Sequence, residues 1–273
     1  MRTTASPPAE RSAFLHLAHH TAVAAALAGG RAAQSACLSP LETTHKGRHD
    51  LVTNGDLAAE GAVVRVIREA FPGHGLLSEE GRSEQGNGFR WVVDPVDGTT
   101  NYSRGLPFYA VSVGLMEGDE YLVGAVYDPV RDEMFSAWRG GGAYVNGRAI
   151  HTRDTAALDD CVFSLGLSYV PAERTQVMEV GRHMAPICLT LRELGSAALA
   201  LAYIAAGRLD CYLHAHLMPW DGAAGKVILE EAGGLMTDLE GRPWTFATGA
   251  TLAAGPRIHR PLLDLIRSLY REG

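Results

Sequence analysis

The sequence predicts a layered α/β (α+β) sandwich, and three features of its apolar residues lead to this fold class. Apolar residues recur at helical spacing in the first part of the chain. Between residues 89 and 150 they alternate with a period of two, which is typical of an antiparallel meander. From residue 161 onward, strand-like and helix-like segments alternate. We therefore expect helices packed on an antiparallel sheet, followed by a second α/β unit.

Apolar spacing and turn residues delimit the elements of the first half. A flexible tail is expected over residues 1–10 and a helix over residues 10–36, and Pro72–Gly73 ends a second helix. The buried face of that second helix carries Val63, Ile67, Ala70 and Phe71. The predicted strands of this half are Leu51–Thr53, Arg90–Val93, Tyr109–Met116, Tyr121–Tyr127 and Glu133–Trp138, with a tight hairpin at Asn146–Gly147.

The second half alternates strands with helices. Its predicted strands are Cys161–Gly166, Ile187–Leu191 and Leu209–His214, with a hairpin-like segment at Leu239–Trp244. Its predicted helices are Pro171–Met184, Ser196–Ala206, Asp221–Ala232 and Pro261–Tyr270. Because no repeat or linker separates the halves, we expect an N-terminal unit over residues 11–155 and a C-terminal unit over residues 156–273 that share one interface, with the functional site in the cleft between them.

Composition and charge exclude several classes of protein. Of the 273 residues, 47% are apolar and 20% are charged, which excludes a disordered chain, a collagen-like fibre and a coiled coil. The net charge of −7 argues against nucleic acid or an anionic membrane as the main partner. An anionic substrate would therefore need bound cations nearby.

Targeting signals are weak in this sequence. No apolar run reaches the roughly 18 residues that a membrane-spanning helix needs, so no membrane partner is expected. The apolar stretch Ala22–Ala28 resembles the core of a signal peptide, but it begins late and little positive charge precedes it, so we interpret it as part of a helix. The four cysteines lie far apart without a C-x-x-C pair, which indicates reduced thiols in a cytoplasmic protein.

The stretch W-V-V-D-P-V-D-G-T-T-N-Y, residues 91–102, is the most informative one for function. An apolar strand delivers two carboxylates, Asp94 and Asp97, three residues apart. Carboxylate oxygens suit Mg²⁺, and the N–H groups of a helix that starts after Gly98 suit a phosphate. The pattern predicts a metal-assisted phosphate hydrolase, although in isolation it fits a turn with a strand-end cap equally well.

Four more acidic residues follow apolar runs or lie near helix starts. The pair Glu79 and Glu80 follows an apolar run, Asp221 stands at a helix start, and Asp56 stands just before another helix. Taken alone, each of the two aspartates fits a capping residue at least as well as a metal ligand.

Together these segments resemble the inositol monophosphatase family, within the Mg²⁺-dependent, lithium-sensitive phosphatases that include fructose-1,6-bisphosphatases. The motifs that carry the resemblance are D-L-V-T-N-G-D at 50–56, L-S-E-E at 77–80, W-V-V-D-P-V-D-G-T-T-N-Y at 91–102 and P-W-D-G-A-A-G at 219–225. They stand in family order at family-like separations and cover the chain from about Lys46 to its end. The resemblance implies the layered fold of that family.

The resemblance also implies a Mg²⁺ centre of two to three ions, with Mn²⁺ as a possible substitute. Glu79, Asp94 and the backbone carbonyl of Val96 would hold the first ion. Asp94, Asp97 and Asp221 would hold the second, and Glu79, also counted among the catalytic residues, would contribute to a weaker third. Such cations reverse the repulsion between an acidic protein and a phosphate ester and lower the pKa of bound water.

In the implied reaction, water attacks the phosphorus directly and no phosphoenzyme forms. Thr99, supported by Asp56, would orient and deprotonate the water. Because a threonine hydroxyl is a poor base alone, the carboxylate and the metal would do most of the activation. The N–H groups of Gly98 and Thr99 would receive the phosphate, and Lys46 matches a basic residue ahead of D-L-V-T.

Substrate recognition is implied for Gly195, Ser196 and Ala197, with helix capping as the alternative role of Ser196. The chain departs from the family at His214, because inositol-hydrolysing members have a glutamate seven residues before the W-D aspartate. A neutral imidazole offers only one donor and one acceptor. Inositol 1-phosphate is the default substrate; histidinol phosphate, a nucleotide 3′-phosphate and an aminocyclitol or sugar phosphate are the alternatives.

Two interpretations from other classes compete with this one. A Zn²⁺ site at His214 and His216 is disfavoured because no third ligand lies nearby in sequence. A non-catalytic descendant that binds protein or RNA would be expected to have lost a metal ligand, and none of the matched ligands is missing. The resemblance further implies a homodimer. It also implies a small phosphorylated molecule as the substrate.

Overall fold

Two β-sheets alternate with three layers of helices, so that five layers stack through the molecule. The computed structural model describes residues 8–47 and 51–272. The stacking confirms the α/β sandwich that the sequence predicts. No helix of the described residues is both long and apolar enough to cross a membrane.

The helices differ widely in length, from one turn to 29 residues. They are α1 (Pro8–Ala36), α2 (Asn54–Ala70), α3 (Thr99–Ser103), α4 (Pro171–Met184), α5 (Ala197–Ala205), α6 (Pro219–Glu231) and α7 (Pro256–Glu272), with a 3₁₀ turn at Leu158–Asp160.

The strands fall into three groups along the chain. The first pair is β1 (Thr43–His45) and β2 (Leu51–Thr53). The strands of the large sheet are β3 (Gly75–Ser78), β4 (Ser83–Glu84), β5 (Phe89–Asp97), β6 (Ala110–Glu117), β7 (Glu120–Asp128), β8 (Glu133–Trp138), β9 (Gly142–Val145) and β10 (Arg148–Ala149). The strands of the second sheet are β11 (Val162–Gly166), β12 (Thr190–Glu193), β13 (Cys211–His214), β14 (Leu235–Asp238) and β15 (Thr251–Ala254).

The large sheet has the order β10-β9-β8-β7-β6-β5-β3-β4 and is antiparallel except where β3 runs parallel to β5. The second sheet has the order β12-β11-β13-β15-β14. Strands β12, β11 and β13 are parallel, because a helix connects each of them to the next one in the chain. Strand β15 follows β14 after a loop and runs antiparallel to both β13 and β14.

The middle helix layer, α5 and α6, is shared by both sheets. Apolar side chains of both helices form one core with the inner faces of the two sheets. The approach of α6 to the large sheet is close: a Cβ at Gly124 would lie 2.3 Å from the carbonyl oxygen of Ala224. The helices α1 and α2 cover the outer face of the large sheet, and α4 and α7 cover the outer face of the second.

Several element boundaries differ from the sequence prediction. The first helix begins at Pro8 and not at residue 10, and residues 1–7, where the tail is expected, lie outside the described residues. The last helix begins at Pro256 and runs through Pro261, which the sequence suggested as its start. The strand predicted over Ile187–Leu191 is β12, shifted to Thr190–Glu193. The division of the chain at residue 155 stays a prediction.

Candidate active site

Three aspartates converge where the large sheet meets α6. Asp94 and Asp97 lie at the end of β5, and Asp221 lies in the first turn of α6. Carboxylate oxygens of all three lie within 4.8 Å of one another. Between Asp94 and Asp97 the register of β5 against β6 shifts by one residue, because Pro95 has no N–H for the ladder. The bulge therefore turns both carboxylates toward α6.

Each aspartate is oriented by hydrogen bonds that leave lone pairs free. The N–H of Val96 donates to Asp94 Oδ1 (3.0 Å), and the N–H of Met218 donates to Asp221 Oδ2 (3.0 Å). Asp97 accepts from the start of α5, where the donors are the Ser196 hydroxyl and the N–H groups of Ala197 (3.2 Å) and Ala198 (2.7 Å). Residues some 100 positions apart in the sequence thus hold one carboxylate.

The electrostatics of this cluster call for a cation. Burial, followed by repulsion from the neighbouring carboxylates, raises the pKa of Asp94 and Asp221. Burial also raises the pKa of Asp97, although its donors on α5 oppose the shift. Among the described residues, no Lys or Arg side chain forms an ion pair with these three aspartates. An oxygen-only set of buried carboxylates without a counter-charge fits a hard divalent cation.

We expect the stability of the metal-free protein to fall as pH rises, because the folded-state pKa of each clustered carboxyl lies above its unfolded value. The protonated forms contribute stability below about pH 4, and this contribution is lost as pH rises through the raised pKa values, of which that of Glu79 is about 7. Saturating Mg²⁺ should restore it and raise Tm by about 5 °C or more at pH 8, but less at pH 5. Thermal unfolding at both pH values measures this; an equal Mg²⁺ effect at the two would contradict it.

Glu79 follows β3 and extends the acidic cluster. Burial raises its pKa to about 7, while the Lys46 ammonium opposes the shift. Lys46 Nζ lies 3.0 Å from Glu79 Oε1 and 2.8 Å from Glu80 Oε1. Burial alone would lower the pKa of Lys46, but the two glutamates outweigh it and raise that pKa. Asp50, the first residue of the D-L-V-T motif, lies outside the described residues.

Thr99 and Asp56 form a hydrogen-bonded pair beside the aspartates. The Thr99 hydroxyl lies 3.0 Å from Asp56 Oδ1 and 2.9 Å from the Val96 carbonyl oxygen. Asp56 lies in the first turn of α2, not before the helix as the sequence suggested, and it accepts the N–H of the N-cap Thr53 (2.9 Å). Its capping role and its contact with Thr99 therefore coexist, since the two carboxylate oxygens serve different partners.

Gly98 and Gly195 allow the turn after β5 to contact the segment that precedes α5. Gly98 has a φ of 97°, and a Cβ there would lie 2.8 Å from the carbonyl oxygen of Gly195. The Asn101 side-chain amide crosses the same contact and donates to the carbonyls of Phe108 and Leu194, both at 2.8 Å. The turn after β5 is therefore fixed against the segment that starts α5.

These groups open into one cavity of about 720 Å³. All predicted site residues line it except Asp56, which contacts Thr99. Ser196 donates to Asp97 and accepts the N–H of Leu199, so its capping role is observed together with a contact to the acidic cluster.

Sequence reasoning missed several lining residues, among them Ser168, Arg174, Glu193 and Tyr212. Ser168 and Arg174 come from the loop after β11 and the start of α4, and Tyr212 comes from β13. None of them belongs to a motif, and only their position near the carboxyl ends of parallel strands could have indicated them.

Comparison with known proteins gives consistent matches. A model of the inositol monophosphatase family matches residues 16–270. The Nus factor SuhB of Pasteurella multocida is 39% identical over 83% of this chain and 86% of its own, and the inositol-1-monophosphatase of Bacillus subtilis is 37% identical over 87% and 91%. The crystal structure of the extragenic suppressor protein suhB from Bartonella henselae superposes with a TM-score of 0.87 at 35% identity, covering 91% of this chain and 97% of that one.

Proposed function

The chain belongs to the inositol monophosphatase family, and we propose that it is a Mg²⁺-dependent phosphatase that hydrolyses a small phosphorylated polyol or sugar. One observation carries the proposal: the acidic cluster of Asp94, Asp97 and Asp221 opens into the same cavity as the Thr99–Asp56 pair. A site for cations and a group that can orient water are the two components that metal-assisted hydrolysis requires.

The residues proposed to hold two to three Mg²⁺ ions are Glu79, Asp94, Asp97, Asp221 and the carbonyl of Val96. The carboxylates of Asp94, Asp97 and Asp221, close together and without an ion pair to Lys or Arg among the described residues, fit Mg²⁺ or Mn²⁺. Bound there, the cations would supply positive charge to the phosphate and to the leaving alkoxide. The carbonyl of Val96 and the Thr99 hydroxyl already lie 2.9 Å apart, so the water-orienting group adjoins the proposed ligands.

Thr99 is proposed to position the attacking water. When its hydroxyl donates to Asp56 Oδ1, a lone pair of the same oxygen is left to accept a hydrogen bond from water in the cavity. Burial raises the pKa of Asp56, which makes that carboxylate a better proton acceptor. The N–H groups of Gly98 and Thr99 have no intrahelical partner at the start of α3 and are proposed to bind the phosphate.

Inositol 1-phosphate is the default substrate, and phosphate release from a panel of esters tests the proposal. The panel contains inositol 1-phosphate, histidinol phosphate, a nucleotide 3′-phosphate and an aminocyclitol phosphate. We expect turnover of at least one ester with millimolar Mg²⁺, a loss of at least about 100-fold with excess EDTA, and recovery on adding Mg²⁺ back. Turnover that survives exhaustive chelation would contradict metal-assisted hydrolysis.

A second candidate, a non-catalytic role as a partner of protein or RNA, is favoured by one finding. A relative of 39% identity carries the name Nus factor. If the folded protein releases no phosphate from any ester of the panel with Mg²⁺ or Mn²⁺, this role replaces the first proposal.

We further propose a homodimer in the cytoplasm. The four cysteines of the chain form no disulfide, which fits a reducing compartment. Sedimentation or size-exclusion chromatography measures the oligomeric state.

A further inference from the structure

Strand β13 ends with two polar side chains that the proposed reaction leaves unused. Tyr212 and His214 stand two residues apart and therefore share one face of the strand. Their exposed fractions are only 4% and 8%, yet both line the cavity that contains the acidic cluster. Two nine-tenths buried polar groups in a cavity wall need partners, because an unsatisfied buried polar group is costly.

The neighbouring strand leaves room for these two side chains. Gly166 on β11 lies opposite His214 in the parallel register. A Cβ at Gly166 would lie 2.0 Å from the Tyr212 hydroxyl and 2.2 Å from Cδ2 of His214. The absence of a side chain at residue 166 thus allows both groups to stand against the strand at the cavity wall.

The hydrogen bond of His214 determines which ring nitrogen carries the proton that faces the cavity. The N–H of His216 donates to Nδ1 of His214 at 3.0 Å, so Nδ1 is an acceptor and carries no proton. Burial lowers the pKa of His214 to about 4, so the ring is neutral at pH 7. The proton of a neutral ring with an occupied Nδ1 acceptor lies on Nε2, and His214 therefore offers one N–H donor to the cavity.

Neither Nε2 of His214 nor the Tyr212 hydroxyl has a hydrogen-bond partner in the described part of the chain. Some side-chain polar atoms of the described residues are fully enclosed and lack a partner, but Nε2 of His214 and the Tyr212 hydroxyl are not among them. Both atoms are therefore accessible from the cavity. Two converging, unpartnered groups that can both donate point to an occupant that accepts hydrogen bonds. A substrate hydroxyl that accepts from His214 would donate to the Tyr212 oxygen and leave the Tyr212 proton without an acceptor, whereas a carboxylate accepts from both donors.

The charged side chains that line the cavity form hydrogen bonds elsewhere and none with the donors of Tyr212 and His214. Glu173 accepts the Ser168 hydroxyl, and Glu193 Oε1 accepts the N–H of Gly195 (3.0 Å). Nε of Arg174 donates to the Ser168 carbonyl (2.5 Å), and its guanidinium adds a positive charge to the same lining.

We propose that Tyr212 and His214, set against Gly166, form a subsite for an acceptor-only group, a carboxylate, on the alcohol part of the substrate. The subsite rests on the proposed phosphatase function and specifies its substrate class. The wild-type protein selects a phosphate ester of a hydroxy acid over the matching polyol ester, because a carboxylate accepts from both donors. Charge-assisted hydrogen bonds of this kind are worth about 10- to 100-fold in kcat/KM.

Two matched pairs of esters test the subsite. The first pair is glucose 1-phosphate and glucuronic acid 1-phosphate, and the second is glycerol 3-phosphate and 3-phosphoglyceric acid. Each pair differs only in a hydroxymethyl group against a carboxylate. In the wild-type protein we expect kcat/KM to be about 10-fold or more higher for the carboxylate member of at least one pair. Equal rates within both pairs, or a preference for the polyol members, would overturn the subsite but leave the phosphatase proposal standing.

Variants at residue 214 assign the preference to the donor. His214→Gln keeps an N–H near the Nε2 position and should keep the preference, whereas His214→Ala should abolish it and His214→Glu should reverse it through repulsion between carboxylates. The exposed His151→Gln is the matched control and should change nothing. If His214→Glu kept the wild-type preference, the subsite assignment would fall. If the wild-type protein hydrolysed an ester of the earlier panel but none of these four, the subsite would be overturned and the phosphatase proposal would stand, whereas inactivity on both sets would refute the phosphatase proposal.

Discussion

Replacing Asp94 by Asn should lower the rate of phosphate release by at least about 1,000-fold, because a loss of about 4 kcal/mol of charge stabilisation corresponds to three powers of ten. Asp94 is the most completely enclosed of the clustered aspartates, with an exposed fraction of 2%, and Asp97, Asp221 and Glu79 all act on its charge. A neutral amide removes one of the negative charges proposed to hold the cations.

The fold should survive this change. The side-chain amide oxygen of the Asp94→Asn variant can still accept the N–H of Val96, as Asp94 Oδ1 does at 3.0 Å. Removing one of several repelling charges should leave the metal-free protein at least as stable at pH 8, and the rise of Tm on adding Mg²⁺ should shrink. The control Asp119→Asn makes the same chemical change at an exposed turn. Activity of Asp94→Asn within tenfold of wild type would rule out Asp94 as a metal ligand.

Replacing Thr99 by Ala should reduce kcat by about 100- to 1,000-fold, the range typical of lost general acid–base assistance, and change KM little. The hydroxyl is the only side-chain group that connects Asp56 Oδ1 to the Val96 carbonyl among the described residues. Thr99→Ser keeps an oxygen at this position and should recover most of the activity. The exposed Thr175→Ala tests whether loss of any threonine hydroxyl has this effect.

Asp56→Asn should reduce kcat to a similar extent, since the amide accepts a proton far less readily than a carboxylate. The double variant with Thr99→Ala should lose little more than either single variant, because residues that act as a unit are not additive. Steady-state kinetics with inositol 1-phosphate, or with the best ester of the panel, measures both effects. Fully additive losses would show that Thr99 and Asp56 act separately.

Short motifs in the sequence contain the three aspartates that the structure brings together. The spacing of Asp94 and Asp97 around Pro95, and Gly98 after them, follows from local backbone rules: proline interrupts the ladder, and glycine adopts a positive φ. Asp221 stood next to a predicted helix start, and α6 does begin at Pro219. These properties depend on a few neighbouring residues, so they can be read without a structure.

The contacts of Ser196 and Lys46 could not be read in this way. The sequence predicts that Ser196 caps a helix or faces the substrate, and it does cap α5, but it also donates to Asp97 at the end of β5. The resemblance implies only that Lys46 matches a basic residue ahead of D-L-V-T, and the structure pairs it with both Glu79 and Glu80. Each contact joins elements far apart in the chain, and their mutual position depends on how helices and sheets pack.

By itself the sequence determined the fold class, the strand that ends in two aspartates and the family of the chain, because repeating apolar spacing and short motifs act over a few residues. Only the tertiary structure decided which groups surround the cavity. Gly166, Tyr212 and His214 meet because parallel strands β11 and β13 pair in one particular register. A one-residue slip would turn Tyr212 and His214 to the other face of the sheet, and no local pattern fixes that register.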